Sequence, residues 1–291
     1  MAAALRYNLS MVGKIAIIGF GEAGSTFANA AQWRDRAAVF DVKLGFASGN
    51  GEIAEACRAA GVGACGTLAD ALGGAQQVLS LVTADQALAA ARDAAGSIGA
   101  GALFLDMNSV APQTKITASG LIEAAGGRYV DVAIMSPVNP ANIAAPLLLS
   151  GTHAGVAAEA LTALGFTNVR VVGDAVGRAS TIKMLRSVMY KGVEALTAEC
   201  LLACERAGVT GEVLASFGND WSSGADYRLD RMMVHGVRRA AEMEEVVLTL
   251  KGLGVDPLMT RGTVERQRQL GSMGIRPVPV TLDEKLERLT Q

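Results

Sequence analysis

Short apolar runs alternate with longer helical patterns through the first half of the chain. The apolar runs have the length and continuous hydrophobicity of buried strands, and they lie near residues 14–18, 37–42, 62–65, 76–82, 102–106 and 128–132. The segments between them repeat apolar residues at helical spacing, so the order of elements predicts a parallel, doubly wound sheet. Two further apolar runs, 146–150 and 169–172, flank a predicted helix at 154–164 and extend the sheet.

The strand pattern ends near residue 174, and only helical patterns follow it. The predicted helices cover residues 176–206, 210–217, 224–252, 256–270 and 281–289. The predicted fold class is therefore α/β, with an N-terminal Rossmann-type doubly wound sheet followed by an all-α domain. We place the first domain at 11–174 and the second at 175–291.

The first apolar run leads into a glycine-rich segment, KIAIIGFGEAG, at residues 14–24. In this pattern Gly19 permits a sharp turn, Gly21 lets the backbone approach a pyrophosphate, and Gly24 lets the helix pack on its strand. The alternative is a glycine-rich turn in some other α/β protein, since the chain contains 34 glycines. The predicted cofactor-binding residues are Gly19, Phe20, Gly21, Glu22, Ala23, Gly24, Asp41, Val82, Thr83 and Asn108.

Asp41 is the second part of the dinucleotide pattern. It follows Gly19 by 22 residues, close to the ~20 expected of a carboxylate that accepts hydrogen bonds from the adenosine ribose. A carboxylate at this position repels a 2′-phosphate, so NAD is the predicted cofactor. Lys43 keeps NADP open as the less favoured alternative, because a lysine beside the acidic residue can meet a phosphate.

The charge balance excludes several classes of partner. With 26 basic and 28 acidic residues and no basic block, nucleic acid and anionic membrane surfaces are not expected ligands. The apolar run near the N-terminus is too short to span a bilayer. The four cysteines show no metal-ligand spacing, and reduced thiols fit a cytoplasmic protein.

Lys183 is the candidate general acid/base. It lies in the first turns of the long predicted helix, where helical spacing puts Ser187 and Tyr190 on the same face. Desolvation among apolar neighbours lowers the pKa of a lysine, which suits proton exchange near neutral pH. Spacing alone leaves a second interpretation open, in which this lysine extends to solvent at a helix end.

Polar residues at two strand ends are candidate substrate ligands. Asn108 and Ser109 follow the strand near 102–106, at the edge where open α/β sheets bind ligands, although capping of the next helix explains them as well. Ser136 follows the next strand and forms either part of an anion-binding nest or a plain turn. On a later helix, His235 and Arg239 either hold an anionic substrate or belong to a salt-bridged face.

The order of these motifs resembles the β-hydroxyacid dehydrogenase superfamily over nearly the whole chain. GFGEAG resembles the family's cofactor loop, DMNSVAP resembles its D-x-S-T-x-S-P segment, and DVAIMSPV stands in place of D-A-P-V-S-G-G. KMLRSVMYKGVEAL at 183–196 and HGVRRAAEMEE at 235–245 resemble the branch with a phosphogluconate-dehydrogenase-like C-terminal domain.

The resemblance implies that Lys183 exchanges a proton with a small hydroxy acid or related alcohol while hydride passes to or from a nicotinamide. It also implies a homodimer, in which His235 or Arg239 of one subunit can act on the neighbour's site. The chain departs from the family at Ser187, where the family has asparagine. It also departs at Met135, Ser136 and Pro137, where the family has a serine-glycine-glycine substrate loop. Two alternatives stay open: reduction of an imine, and a cofactor-binding sensor without turnover.

Overall fold

The computed structural model describes residues 13–45, 50–217 and 221–290. The chain divides into two compact units, Met1–Lys183 and Met184–Gln291, and this division falls inside the long helix rather than before it. The predicted start of the first domain at residue 11 lies outside the described residues.

A single sheet organises the first unit. In the described residues its strands are β1 (Lys14–Ile18), β2 (Ala37–Phe40), β3 (Gly63–Ala64), β4 (Ala75–Ser80), β5 (Leu103–Asp106), β6 (Arg128–Ile134), β7 (Leu147–Ser150) and β8 (Val169–Gly173). They lie in the order β3-β2-β1-β4-β5-β6-β7-β8. All neighbouring strands are parallel except β6 and β7, which are antiparallel. The predicted doubly wound α/β sheet is confirmed.

Helices connect the strands of the first unit. They are α1 (Glu22–Ala30), α2 (Asn50–Ala60), α3 (Leu68–Leu72), α4 (Ala87–Ala95), α5 (Pro112–Ala124), α6 (Val138–Ala141) and α7 (Ala154–Ala163). Short 3-10 turns occur at Arg34–Arg36, Val42–Gly45, Ala84–Gln86 and Asn142–Ala144.

Both faces of the sheet are buried, as the continuous apolar runs predict. In β1, Ile15 and Ile17 belong to one core cluster, whereas Ala16 and Ile18 belong to the cluster on the opposite face. Since fully burying an isoleucine contributes ~1.5–3 kcal/mol, this central strand is a strong anchor for the loop that follows it.

The described residues of the second unit form helices joined by loops and no strands, which confirms the predicted all-α region. The long helix α8 (Arg178–Ala207) begins in the first unit, and α9 (Thr210–Ser216), α10 (Trp221–Gly252), α11 (Leu258–Ser272) and α12 (Leu282–Thr290) follow it. Helices α10 and α11 touch through their backbones, because a Cβ on Gly236 would lie 2.3 Å from the Gln267 carbonyl oxygen. Among the described helices, none has the length and apolar character needed to cross a membrane.

Candidate active site

The candidate site lies at the carboxyl ends of β1 and β4, where the strand order of the sheet reverses. Chains leaving the two strands here turn to opposite faces, and open α/β sheets bind ligands in the resulting crevice. The amide of Leu81, just beyond β4, donates a 2.8 Å hydrogen bond to the carbonyl of Ile18 at the end of β1. The two strand exits are therefore held side by side.

The three glycines of the loop after β1 meet different requirements. Gly19 has a φ of +87°, and a Cβ there would lie 2.6 Å from the Leu81 carbonyl oxygen. A Cβ on Gly24 would lie 2.7 Å from the carbonyl oxygen of Gly19. By contrast, a Cβ on Gly21 would meet nothing within 4 Å. The protein's own packing thus explains Gly19 and Gly24, and the open space at Gly21 is what a closely approaching ligand needs.

Helix α1 presents an uncapped N-terminus at this loop. Gly21 is the N-cap residue, and no side chain accepts a hydrogen bond there. The first amides of a helix and its dipole together attract anions such as phosphate. Glu22 in the first turn is exposed, and its Oε1 accepts a 3.2 Å hydrogen bond from Nδ2 of Asn139. The loop and helix start therefore fit a pyrophosphate.

Asp41 lies directly after β2 and is tied to the glycine loop. Its Oδ2 accepts a 2.8 Å hydrogen bond from the Phe20 amide, and its Oδ1 accepts one of 2.9 Å from the Lys43 amide. These bonds curl the chain into the 3-10 turn after Phe40, which is why the strand ends before the predicted residue 42. A carboxylate has about four acceptor positions, so capacity remains for two ribose hydroxyls.

The thiol of Cys57 lies close enough to Asp41 and to Cys65 to be affected by both. Burial, with smaller effects of the nearby Asp41 and Cys65, raises the pKa of Cys57 from 9.0 to about 11. The thiol of Cys57 is therefore protonated at neutral pH. Among the described residues, no group of three or more His, Cys, Asp or Glu side chains is arranged to hold a metal ion.

Asn108 links the ends of β4 and β5. Its Oδ1 accepts a 2.8 Å hydrogen bond from the Val82 amide, and its Nδ2 donates to Ser80 at 2.9 Å and to Asp106 at 2.8 Å. Both amide hydrogens are thus used inside the protein, and the residue is buried. Only one lone pair of Oδ1 remains for a ligand, so the structure gives Asn108 a clear role in holding Val82. Thr83, which follows Val82, immediately precedes the 3-10 turn at Ala84–Gln86.

Lys183 and Ser109 lie in direct contact. The Lys183 ammonium donates a 2.6 Å hydrogen bond to Oγ of Ser109, which follows β5. Both residues are half-buried rather than fully exposed, so the lysine does not simply extend into solvent. Because the serine oxygen accepts this bond, its own hydroxyl hydrogen is available to another acceptor.

Ser136 lies beyond β6, in a segment with few free amides. Its Oγ donates a 3.1 Å hydrogen bond to the Pro137 carbonyl, and the side chain is half-buried. Pro137 and Pro140 have no N–H, so this segment has fewer donors for an anion than a nest of consecutive amides. The role of Ser136 in substrate binding stays a prediction.

A buried ionic cluster, which the sequence reasoning did not identify, lies beneath these strand ends. We call Asp106, Lys115 and Asp131 the buried ion cluster. Lys115 of α5 donates to the Asp106 carbonyl at 2.6 Å and to Oδ1 of Asp106 at 2.9 Å, and lies 3.4 Å from Oδ1 of Asp131. All three side chains are at most 1% exposed. Spacing could have revealed Lys115, because it shares the buried face of α5 with Pro112, Ala118 and Ile122.

Tyr129 and two serines donate hydrogen bonds to the carboxylates of this cluster. The Tyr129 hydroxyl donates to Oδ2 of Asp106 at 2.6 Å, and burial followed by that carboxylate raises the pKa of Tyr129 well above its ordinary value. Oδ2 of Asp131 accepts 3.1 Å hydrogen bonds from the hydroxyls of Ser150 and Ser180. Ser180 belongs to the first turn of α8, one turn before Lys183.

The remaining predicted residues belong to the helical unit, where Arg239 forms an internal ion pair. Arg239 is buried and pairs with Glu194, which itself accepts a 2.9 Å hydrogen bond from Gln267. Arg239 is thus engaged in the salt-bridged arrangement that the sequence left open, and a contact with substrate stays a prediction. His235 on α10 is half-buried, as is Ser187 on α8.

Tyr190 of α8 is 60% exposed, and the guanidinium of Arg186 lies 4.0 Å from the centre of its ring. Such a cation–π contact at an exposed site orients the ring but contributes only ~0.5–1 kcal/mol. The predicted contacts of Ser187, Tyr190 and His235 with substrate stay predictions.

The chain matches one family model and is more than 30% identical to two proteins of known structure. A family model described as a domain of unknown function (DUF1932) matches residues 205–270. A conserved hypothetical protein from Sinorhizobium meliloti 1021 is 37% identical, with 97% of each chain covered and a TM-score of 0.73. A second solved structure is that of a conserved protein of unknown function, which was described as structurally similar to 3-hydroxyacid dehydrogenases. It is 33% identical, the match covers 89% of this chain and 97% of that chain, and the TM-score is 0.67.

A more distant structure shares the fold. The 3-hydroxyisobutyrate dehydrogenase of Mycobacterium tuberculosis is 14% identical, covers 97% of this chain and 100% of its own, and gives a TM-score of 0.71.

Proposed function

The chain belongs to the β-hydroxyacid dehydrogenase superfamily, and from this premise we propose that it is an NAD(P)-dependent oxidoreductase acting on a small hydroxy acid or related alcohol. The observation that carries the proposal is the 2.6 Å hydrogen bond between Lys183 and Ser109 at the carboxyl edge of a dinucleotide-binding sheet. This contact places a proton-exchanging group beside the Ser109 hydroxyl, which can hydrogen-bond to the substrate. Oxidation of an alcohol requires such a group to take the hydroxyl proton of the substrate.

NAD is the proposed cofactor, with NADP less favoured. The uncapped start of α1 fits the pyrophosphate, and the Asp41 carboxylate fits unmodified ribose hydroxyls but repels a 2′-phosphate. A bound nicotinamide supplies the acceptor or donor for hydride. The residues Gly19 to Gly24, with Asp41, Val82 and Thr83, would hold the dinucleotide.

Proton transfer is the proposed task of Lys183. In the oxidation direction its neutral amine takes the substrate hydroxyl proton as the carbon loses hydride, and the products are a carbonyl group and an ammonium. In the reduction direction the ammonium returns that proton to the carbonyl oxygen. Ser109 keeps the lysine directed at the reacting oxygen and can donate its own hydrogen bond to the substrate.

A panel of hydroxy acids and primary alcohols, each assayed with NAD and NADP by absorbance of the reduced cofactor, tests this proposal. Turnover of at least one hydroxy compound, with NAD the better oxidant, supports it. Tight cofactor binding without turnover of any compound in either direction favours the alternative of a sensor.

Imine reduction is the second candidate function, and the segment after β6 favours it. Pro137 and Pro140 remove two potential amide donors near Ser136, so the segment is less suited to a substrate carboxylate and better suited to an uncharged group. Comparing reduction rates of cyclic imines with those of keto acids separates the two functions.

Assembly as a homodimer and a cytoplasmic location complete the proposal. The helical unit exposes large apolar side chains on α8, among them Leu185, Met189 and Leu196. Exposed apolar surface of this kind is common where subunits associate. Sedimentation velocity at micromolar concentration tests the dimer, and a monomer would overturn that part of the proposal.

A further inference from the structure

We propose that Lys115 is a positioning residue for Lys183. Through the two carboxylates of the buried ion cluster, Lys115 sets the start of α8 against the end of β5, and so maintains the hydrogen bond from Lys183 to Ser109. This inference rests on the proposed function, because it concerns the placement of its general acid/base.

The cluster holds the Ser109 side of that hydrogen bond. Lys115 binds both the carbonyl and the carboxylate of Asp106, the last residue of β5. The same carboxylate oxygen accepts a 3.0 Å hydrogen bond from the Asn108 amide and one of 2.8 Å from its side chain. The segment from Asp106 to Asn108 is therefore clamped immediately before Ser109.

The cluster also holds the Lys183 side. Oδ2 of Asp131 accepts a 3.0 Å hydrogen bond from the Ser180 amide, in the first turn of α8. Ser150 accepts a 3.0 Å hydrogen bond from the Ala179 amide and donates to the same Asp131 oxygen. Two consecutive amides at the helix start are thus fixed to the sheet, one helical turn before Lys183.

Lys115 joins the two sides. Asp106 and Asp131 are register partners on the parallel strands β5 and β6, so their carboxylates lie on the same face and repel each other. The Lys115 ammonium lies between them, within 2.9 Å of one and 3.4 Å of the other. Oδ1 of Asp131 has no hydrogen-bond partner among the described residues, so its negative charge is balanced by the nearby Lys115 ammonium.

Stability of the sheet does not explain the cluster. Backbone hydrogen bonds already pair β5 with β6, and buried ion pairs are often replaced by apolar residues at no loss of stability. What distinguishes this cluster is that its two carboxylates hold the two backbone segments that carry Ser109 and Lys183. We therefore assign it to positioning within the site.

The test compares Lys115→Met with a matched variant, Lys285→Met. Lys285 of α12 is also a buried lysine, 3% exposed, and lies 2.8 Å from Asp226 and 3.5 Å from Asp230 in the helical unit. Each variant is measured for urea stability, NADH affinity, kcat and KM, and for the rate at which acetic anhydride labels Lys183, read by peptide mass spectrometry.

We expect Lys115→Met to lower kcat ~10²-fold, as a displacement of ~1 Å does, with NADH affinity preserved. The labelling rate of Lys183 should change in this variant in the same direction as in Ser109→Ala, which removes the acceptor directly. Lys285→Met should lose stability while kcat and Lys183 labelling stay at wild-type values. This difference separates positioning from a merely structural role.

Asp131→Asn is the second variant, and it decides the question if Lys115→Met does not fold. It keeps an oxygen for the Ser180 amide but removes the charge that faces Lys115. The labelling rate of Lys183 and kcat should therefore each change in the direction expected for Lys115→Met. Wild-type labelling and kcat in the folded variants would overturn the inference and leave the proposed function intact. Altered labelling in a protein that turns over no substrate would support the positioning and overturn the proposed function.

Discussion

The Lys183 ammonium donates a 2.6 Å hydrogen bond to the hydroxyl oxygen of Ser109, although the two residues are 74 positions apart in the chain. One residue follows a strand of the sheet and the other begins a helix, so only the folded chain creates this pair. It gives the proposed chemistry a defined place at the carboxyl edge of the sheet.

Lys183→Met should lower kcat by the ~10²–10⁴-fold that is typical when a general acid/base is lost. The affinity for NADH should change little, because the lysine lies outside the glycine loop. Steady-state kinetics and a fluorescence titration measure the two quantities. Activity close to wild type would remove Lys183 from the mechanism.

Ser109→Ala should lower kcat less than Lys183→Met does, since the lysine remains but loses the acceptor that directs it. A loss of ~10–100-fold is expected for a misdirected catalytic group. Thr162→Ala is the control for loss of a hydroxyl outside the site, because the Thr162 hydroxyl donates to the Ala158 carbonyl within α7. Equal effects of the two substitutions in steady-state kinetics would contradict a special role for the Lys183–Ser109 contact.

Gly21→Ala and Gly24→Ala should separate cofactor binding from folding. A Cβ on Gly21 meets open space, so this variant should keep its thermal stability and bind NADH more weakly. A Cβ on Gly24 would lie 2.7 Å from a backbone oxygen, and such overpacking costs ~1–3 kcal/mol.

Thermal unfolding and NADH titration of both variants check this pair of expectations. A destabilised Gly21→Ala protein with unchanged NADH affinity would show that the loop serves the fold alone.

The protein should lose stability as the pH rises from about 9 to about 11. In the unfolded chain the Cys57 thiol ionises near its ordinary pKa of 9.0, but burial keeps it protonated in the folded protein up to a pKa of about 11. The stabilising effect of this group is therefore complete below pH 9 and is lost through that interval. Tyr129, whose pKa is also raised by burial, adds a further loss above its ordinary pKa of 10.0.

Urea unfolding of wild type and Cys57→Ala across this range measures the effect. The variant should lose less stability than wild type between pH 9 and pH 11, whatever its stability at neutral pH. Parallel curves for the two proteins would contradict the assignment.

Periodicity predicted the elements well because most of the chain forms regular, buried structure. The apolar runs of β1 and β5 could be identified directly, since both faces of a central parallel strand are apolar. The apolar run places the end of β2 too late, because Asp41 and Val42 belong to a turn that depends on the tertiary hydrogen bonds of Asp41. The division between the compact units lies within α8, where helical periodicity continues without a break.

The candidate site was predictable where it depends on local motifs. The glycine loop and Asp41 carry their chemistry in their spacing, and local patterns identify Lys183 and Ser109 one at a time. Their contact and the role of Asn108 in holding Val82 were not predictable, because both depend on residues far apart in sequence. Spacing places Lys115 on the buried face of α5, but it does not identify the carboxylates that compensate its charge, because Asp106 and Asp131 lie on other elements.

The dinucleotide site is the central claim, and a fluorescence titration with NADH and NADPH tests it most directly. Asp41→Asn is the matched variant, because it keeps the size of the side chain and an oxygen for a backbone amide while removing the charge. We expect wild type to bind NADH more tightly than NADPH, and the variant to lose much of that preference. Binding of neither nucleotide by the wild-type protein would leave the fold in place and contradict the proposed oxidoreductase function.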